Sequence, residues 1–249
     1  MKRAIFFTII FSLLGSVSHG QLNWKMRRWE AMGGIGPSLF FCDIGGFPRT
    51  ENVLGIRDMS FRQARFNING NLKYRITREF NVRLSLTYGL LHGTDARGSN
   101  EDRAFEVSTS IFEPALIAEY YFLKNSNENS YLFFKGRRGA FKQIINSIDI
   151  YAFTGIGGAS FKVNGNDALV NYGIESSGFT AVIPVGIGAT LLYTPQMNLG
   201  LEIGGRYAFS DYLDGYTSQY SKANDVYYFV NFIISFRLKT GRNGLPTLR

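Results

Sequence analysis

The chain has 249 residues, a single cysteine and a formal net charge of +8. Its length suits one all-β domain, its lone cysteine excludes an internal disulfide, and no apolar segment after the N-terminus reaches the ~18 residues of a helical membrane span. The basic charge would suit a nucleic-acid-binding protein, but the export signal described next argues against a nucleic-acid partner.

The N-terminus has the organisation of a secretory signal peptide. Lys2 and Arg3 precede an apolar stretch, Ala4 to Leu14, and small residues follow it up to Gly20. This pattern predicts a signal peptide at residues 1–20 and a periplasmic segment at 21–28, with an uncleaved anchor as the alternative. The mature chain is therefore expected to be exported, with any membrane insertion made by β-strands.

Alternating apolar and polar residues predict long strands in the first third of the mature chain. A first strand is predicted at Trp29–Phe41, and the clearest alternation follows at Ala64–Ile76 and Phe80–Leu90, on either side of the tight turn Thr77–Glu79. This pattern is typical of an antiparallel hairpin. Each strand has the roughly 9–11 residues that a tilted strand needs to cross a bilayer.

Five further strands follow the hairpin. They are predicted at Phe105–Leu123, Ile148–Val163, Phe179–Tyr193, Met197–Phe209 and Val226–Lys239. The faces of the strand at Ile148–Val163 remain ambiguous because it is rich in glycine.

The connections between these strands alternate in length. Thr77–Glu79 and Thr194–Gln196 are very short, whereas all four connections at the opposite end are long. Short periplasmic turns and longer outer loops are typical of outer-membrane barrels. The sequence therefore predicts an all-β fold: an eight-stranded antiparallel up-and-down transmembrane β-barrel at 29–239. Residues 124–147 would form a long periplasmic turn, and residues 240–249 a periplasmic tail.

The apolar face of this barrel is expected to point towards lipid, although a soluble lipocalin-like barrel with the reverse arrangement also alternates. Aromatic residues gather near both ends of the apolar face, as bilayer interfaces favour. The opposite faces carry charges of both signs, which predicts a polar, filled lumen without an open pore. The expected lumen charge network is Glu30, Arg65, Arg83, Glu113, Glu119, Glu202 and Arg206.

The predicted periplasmic side is basic, whereas the long outer loops are acidic on balance. The middle turn also carries an exposed aromatic run, and aromatic and basic residues are common interface anchors. This turn is either a solvated extension of its strands or a docking element for a periplasmic partner. The candidate partner-binding residues are Lys25, Arg27, Arg28, Phe133, Phe134, Lys135, Arg137 and Arg138.

The sequence offers little support for catalysis, a metal or a cofactor. Cys42 is expected to be a buried, inert thiol, and a lone His with a lone Cys does not make a metal site. His92, Asp95 and Ser99 have a composition compatible with a lipid-modifying enzyme, but their spacing is loose and a solvated loop histidine is the simpler interpretation. We therefore expect a non-enzymatic protein without a cofactor.

Several loop motifs resemble a family of small outer-membrane barrels that includes the PorG component of the type IX secretion system. Phe41-Cys42-Asp43-Ile44-Gly45-Gly46 is similar to the family's aromatic-x-Asp-x-Gly turn, with cysteine where glycine is usual, and Ser210-Asp211-Tyr212-Leu213-Asp214 is similar to its Ser-Asp-Tyr-Leu-Asp element. Asn224-Asp225 resembles the start of its last strand, and Ile183-Pro184-Val185-Gly186-Ile187-Gly188 its Ile-Pro-x-Gly-x-Gly stretch.

The resemblance implies a part of a secretion or gliding apparatus in the bacterial outer membrane. Its partners would be outer-membrane lipids and a periplasmic lipoprotein or ring component. Together with the basic periplasmic side, it predicts a barrel that anchors or stabilises a periplasmic assembly. The alternative is a general surface barrel whose loops bind an outside ligand or which stabilises the membrane.

Overall fold

The structure is a computed structural model that describes residues 27–42, 44, 63–96, 102, 104–125, 147–172, 177–216, 224–241 and 245–247. Its strands are β1 (Trp29–Phe41), β2 (Arg65–Arg75), β3 (Phe80–Thr94), β4 (Glu106–Leu123), β5 (Ile148–Gly165), β6 (Ser177–Leu192), β7 (Met197–Ala208), β8 (Val226–Thr240) and β9 (Pro246–Thr247). One short helix, α1 (Asp167–Tyr172), lies between β5 and β6. None of the helical segments in these ranges has the length and hydropathy of a membrane-spanning helix.

Each strand from β1 to β8 pairs antiparallel with its neighbour in sequence, and β1 also pairs with β8. Trp29 lies opposite Tyr74 of β2 on one side and Leu238 of β8 on the other. The barrel is therefore closed, which leaves these strands without an open edge. The predicted eight-stranded up-and-down β-barrel is confirmed, and β9 is only a short addition that pairs with the end of β8.

The described connections define two ends of the barrel. The β2–β3 and β6–β7 turns lie at one end, which we call the short-turn end, and the opposite end is the long-loop end. Both turns use a threonine hydroxyl: Phe80 N donates to Thr77 Oγ1 at 3.0 Å, and Met197 N donates to Thr194 Oγ1 at 2.9 Å. These local bonds fix the register of the long hairpins.

An apolar belt surrounds the barrel. Large apolar side chains on its outer face, such as Ile68, Leu116 and Phe232, are 53%, 51% and 64% exposed. On β4 the belt extends from Phe112 to Phe122, which is ten steps along the strand, or roughly 33 Å at ~3.3 Å per residue. At a tilt of about 40° this corresponds to roughly 25 Å across a membrane, the usual height of a lipid-facing band.

Aromatic side chains border the belt at both ends. At the short-turn end the rings of Trp29 and Tyr74 lie 4.9 Å apart, and at the long-loop end those of Tyr207 and Phe209 lie 5.4 Å apart. Aromatic rings at both edges of an apolar band are typical of a barrel in a bilayer. The fold is thus that of a membrane-spanning barrel with its apolar face outward.

The outer face becomes polar above this belt, towards the long-loop end. Ser110 of β4 lies opposite Lys162 of β5, which in turn lies opposite Ser177 of β6. Further along, Glu106 and Asn164 are exposed. Strands β4 and β5 therefore continue beyond the lipid-facing band.

The glycine-rich strand β5, whose faces the sequence leaves open, points Tyr151, Phe153 and Phe161 into the barrel. Room for two of these rings comes from glycines of β6. A Cβ at Gly186 would lie 2.5 Å from the Phe153 ring, and one at Gly188 would overlap the Tyr151 ring. The Ile-Pro-x-Gly-x-Gly stretch thus serves packing inside the barrel.

Candidate functional site

The centre of the lumen is organised around the guanidinium of Arg83. Its Nη1 lies 2.5 Å from Glu202 Oε1 and its Nη2 lies 3.0 Å from Glu202 Oε2, which makes a two-point ion pair between β3 and β7. Arg83 Nη1 is also 3.2 Å from Glu119 Oε1 of β4. All three side chains are almost fully buried, so the carboxylates are compensated by this cation rather than by bulk water.

Lys73 of β2 extends this network towards the short-turn end. Its Nζ lies 3.5 Å from both Glu30 and Glu119, and it donates to Tyr121 Oη at 3.2 Å. Glu30 also accepts a hydrogen bond from Asn198 Nδ2 at 3.0 Å. The charge network predicted from the sequence did not include Lys73, although its position on the polar face of β2 indicated that its side chain points into the lumen.

A second ion pair lies closer to the long-loop end. Arg206 Nε is 3.5 Å from Glu113 Oε1, and Tyr227 Oη donates to Glu113 Oε2 at 2.5 Å. Glu113 and Glu119 share the inward face of β4, with Ala115 and Ile117 between them. The predicted lumen residues therefore form two groups that an apolar layer separates.

Arg65 stands apart from both groups. It is the first residue of β2, at the long-loop end, where its Nη1 donates to Ala64 O at 3.3 Å and its side chain is half-buried. A residue's place on the polar face of a strand shows that its side chain points into the barrel. It does not show how far along the barrel axis the side chain lies, because that depends on where the strand begins. The structure thus brings together six of the seven predicted lumen charges in two clusters.

The filling of the lumen becomes more apolar towards the long-loop end. That half contains buried side chains that include Phe40, Leu91, Ile111, Phe161 and Phe229, and the Arg206 guanidinium lies among them, 4.4 Å from the centre of the Phe229 ring. The predicted polar lumen is confirmed: its largest charge network lies in the short-turn half, and a single ion pair lies within the mainly apolar filling of the other half. The physical reason is that the outer face is apolar within the lipid band but polar above it. Where the strands extend above the lipid, apolar side chains can be buried only inside the barrel.

The segment that follows β7, which contains the Ser210–Asp214 motif, packs into the long-loop half of the barrel. Leu213 is 0% exposed and packs into the apolar core, while its backbone N donates to Asp225 Oδ2 at 2.9 Å. Asp214 Oδ1 accepts from Tyr216 N at 2.9 Å, and Gly215 between them has a positive φ of 74°. Asp214 and Asp225 are thus buried turn-forming carboxylates.

The remaining motif residues have varied positions. Asp211 is half-buried and Tyr212 is 39% exposed. Asn224 Nδ2 donates to Tyr207 Oη at 3.1 Å. Asp43 and Gly45 lie outside the described residues.

His92 contacts strand β4 rather than a loop. Its Nδ1 lies 3.2 Å from Ser108 Oγ and its Nε2 lies 3.6 Å from Glu106 Oε1, whose side chain is 59% exposed. Asp95 Oδ2 instead accepts from Phe105 N at 3.3 Å, and Ser99 lies outside the described residues. The expectation of a solvated loop histidine is wrong, because His92 belongs to β3 and is only 7% exposed.

Cys42, which the sequence analysis expected to be buried, is half-buried, and its Sγ lies 3.4 Å from Ile44 O. It packs against the apolar core of the long-loop half. Among the described residues, no group of three His, Cys, Asp or Glu side chains could hold a metal ion.

The short-turn end opens into a polar cavity that we call the vestibule. Six cationic side chains of the described residues line it: Arg27, Arg28, Lys73, Arg75, Lys124 and Arg237. Two carboxylates, Glu30 and Asp149, also line it. Six positive charges and two negative ones give this described part of the lining a net charge of +4. The vestibule is therefore a basic, polar opening at one end of a barrel whose other half is apolar and filled.

Two of the predicted partner-binding residues belong to this vestibule. Arg27 Nη1 donates to Pro195 O of the β6–β7 turn at 2.7 Å, and Arg28 Nη1 donates to Tyr74 Oη at 3.0 Å. The others, Lys25, Phe133, Phe134, Lys135, Arg137 and Arg138, lie outside the described residues. Arg75, Lys124 and Arg237 are additional cations that the sequence analysis did not single out.

The closed, lipid-belted barrel defines the class of the protein: a membrane-spanning eight-stranded β-barrel. No protein-family model and no curated protein matches the sequence. Among solved structures, the chain is similar to a major outer membrane protein from Thermus thermophilus, with 12% identity, a TM-score of 0.47 and coverage of 84% of this chain and 98% of that chain.

The chain is also similar to the N-terminal β-barrel domain of Pseudomonas aeruginosa OprF. That match has 14% identity and a TM-score of 0.42, and it covers 84% of this chain and 97% of that chain. Neisserial surface protein A matches with 10% identity and a TM-score of 0.43, over 84% of this chain and 96% of that chain. The assignment of the fold rests on the strand pairing and the apolar belt described above.

Proposed function

We propose that this protein is a non-enzymatic barrel of the bacterial outer membrane that anchors or stabilises a periplasmic secretion or gliding assembly of the type IX kind. The observation that carries the proposal is the filling of the lumen. The Arg83 network, the layer of Ile117 and Phe153, and the apolar core of the long-loop half succeed one another along the axis. Such a barrel is suited to holding position in a membrane rather than to bulk transport.

The orientation follows from loop length. Outer-membrane barrels place their short turns in the periplasm and their long loops outside. The short-turn end would therefore face the periplasm, and the vestibule with its surplus positive charge would face the same compartment. This favours a periplasmic partner over a ligand inside the barrel at the other end, because the described part of the long-loop half is filled by an apolar core that includes Leu213.

The family-like motifs support the more specific part of the proposal. Leu213, Asp214 and Asp225 have buried structural roles in closing the barrel. Because these residues stabilise the turn and its packing against the barrel, barrels of one architecture would share the same short loop motif. The link to a type IX apparatus depends on that resemblance.

Two experiments test the proposal. Purified protein in planar bilayers should show no large, stable conductance, and a steadily open channel would contradict the filled lumen.

The second experiment tests the partner. Affinity purification from detergent extracts of the native cells should retain a periplasmic partner. If the turn at 124–147 is a docking element, deletion of residues 133–141 should release that partner while the barrel stays folded. Recovery of the same partner from the deletion variant would contradict a docking role for this turn.

Replacement of the outer loops separates the anchor from the runner-up function. Exchange of residues 97–103 for a glycine-serine linker of equal length should leave partner recovery unchanged if the protein is a periplasmic anchor. A surface barrel that works through an outside ligand would lose its function in the same variant while keeping its fold.

A further inference from the structure

The vestibule at the short-turn end combines charge with restricted access. Its lining carries six cations and two carboxylates. Both carboxylates already have partners: Glu30 lies 3.5 Å from Lys73 Nζ, and Asp149 Oδ1 accepts from Asn125 N at 2.8 Å. The described residues of the lining thus carry more positive than negative charge, and a low-dielectric wall of barrel and lipid strengthens their field.

The cations are arranged as a row across three neighbouring strands. Arg75 N donates to Arg28 O at 2.8 Å, which places these residues side by side on β2 and the start of β1. Arg237 lies opposite Glu30, and so on the other side of β1. A row of arginines suits carboxylates, since each guanidinium can make two parallel hydrogen bonds to one of them.

The shape of the vestibule limits what can enter it. Arg75 at the rim and Lys73 further inside are two residues apart on β2, a depth of roughly 7 Å at ~3.3 Å per residue. Deeper access is closed by the ion pairs of Arg83. An opening of this depth receives side chains rather than a folded domain, and acidic side chains of an extended peptide have a suitable length to enter it.

Lipid headgroups are a less suitable occupant. The lining includes Asn81, Thr190 and Asn198, which are buried on the inner face of their strands. Phospholipids surround the outer wall of the barrel, so their headgroups lie beside the opening rather than above the barrel axis. A periplasmic segment can approach along the axis.

We propose that the vestibule formed around Arg28, Arg75 and Arg237 binds a carboxylate-rich peptide segment of the periplasmic partner. This proposal rests on the proposed anchoring function and names the chemistry by which the barrel holds its partner. The interaction is electrostatic at a partly solvated site, so it weakens as salt rises.

The test uses the full-length protein in a neutral detergent and a fluorescein-labelled hexaglutamate peptide as the probe. Fluorescence anisotropy should show binding at low salt that falls steeply at higher salt, and none for hexaglutamine. The double variant R75Q/R237Q should weaken binding about tenfold, since a partly exposed charge contact contributes a factor of up to about five. Lys239→Gln removes one charge from the exposed end of β8, outside the vestibule lining, and should change binding less than about twofold.

The charge-reversed variant R75E/R237E provides a second test. It leaves four cations and four carboxylates in the described lining, so it should lose hexaglutamate binding completely. Circular dichroism that matches the wild-type spectrum would show that the barrel remains folded. Equal hexaglutamate binding by wild-type protein and R75Q/R237Q overturns the proposal. Full competition by phosphatidylglycerol vesicles also overturns it and assigns the surface to lipid headgroups.

Partner recovery from native cells distinguishes the two proposals. If R75Q/R237Q still retains the partner that wild-type protein retains, the vestibule proposal fails and the anchoring function stands. If wild-type protein recovers no periplasmic partner, the anchoring function fails, whatever the peptide does.

Discussion

Removal of the central guanidinium should destabilise the barrel more than removal of either carboxylate that it contacts. Arg83 lies within ion-pair distance of both Glu119 and Glu202. Arg83→Gln therefore removes the guanidinium from two buried carboxylates, whereas Glu202→Gln leaves Arg83 paired with Glu119. This count of the charges that lose their contact predicts the order of the two effects.

The expected magnitudes follow from burial. The side chains of Arg83, Glu119 and Glu202 are 2%, 0% and 4% exposed, and removing one partner of a buried ion pair costs roughly 3–5 kcal/mol. Arg83→Gln should cost about 4 kcal/mol of unfolding free energy. Glu202→Gln should cost about 1–2 kcal/mol, because Arg83 keeps Glu119 at 3.2 Å. The double variant should be more stable than Arg83→Gln alone, because Glu202→Gln then removes an uncompensated charge.

The assay is urea unfolding of the full-length protein in phospholipid vesicles, followed by tryptophan fluorescence. Glu79→Gln in the exposed β2–β3 turn is the matched control and should change the unfolding free energy by less than about 0.5 kcal/mol. Equal costs for Arg83→Gln and Glu202→Gln, or simple additivity in the double variant, would refute the reasoning from charge count.

Two further predictions concern the inner and outer faces. Gly188→Val should lower the free energy of unfolding by about 1–3 kcal/mol, because the added Cβ would overlap the Tyr151 ring. Gly33→Val should be nearly neutral in the same urea titration, because no atom lies within 4 Å of the position of its Cβ. Phe232→Lys in the lipid-facing belt should cost about 2–4 kcal/mol in vesicles, whereas Asn164→Lys above the belt should cost almost nothing; similar costs for the two would place the upper part of β5 within the lipid.

The alternation of residues was enough to predict the strands and their direction, since every strand that spans the membrane has one face in lipid. β1 and β4 have nearly the predicted bounds. Alternation could not assign β5, because Ile150 and Ile156 point outward while Tyr151 and Phe153 point inward. Both faces of that strand are apolar, and only the packing against β6 distinguishes them.

The candidate site was harder to predict than the fold. Sequence shows that Arg65 and Lys73 share the polar face of β2, but not that only Lys73 lies at the height of Glu30 and Glu119. Height depends on the stagger between strands, which hydrogen bonding and turn geometry set together. The vestibule was missed for the same reason, since Arg75 and Arg237 are distant in sequence and meet only when β1 closes against both β2 and β8.

The reversal of polarity along the barrel axis has a consequence for function. In the long-loop half, burial of Leu91, Phe161 and Phe229 stabilises the barrel as it would a soluble protein, independently of lipid. In the short-turn half, the outer wall depends on lipid and the interior on compensated charge. If the vestibule binds a carboxylate-rich segment as proposed, that segment acts on the half whose stability is electrostatic and leaves the apolar half undisturbed. Binding and stability would then be coupled at the short-turn end.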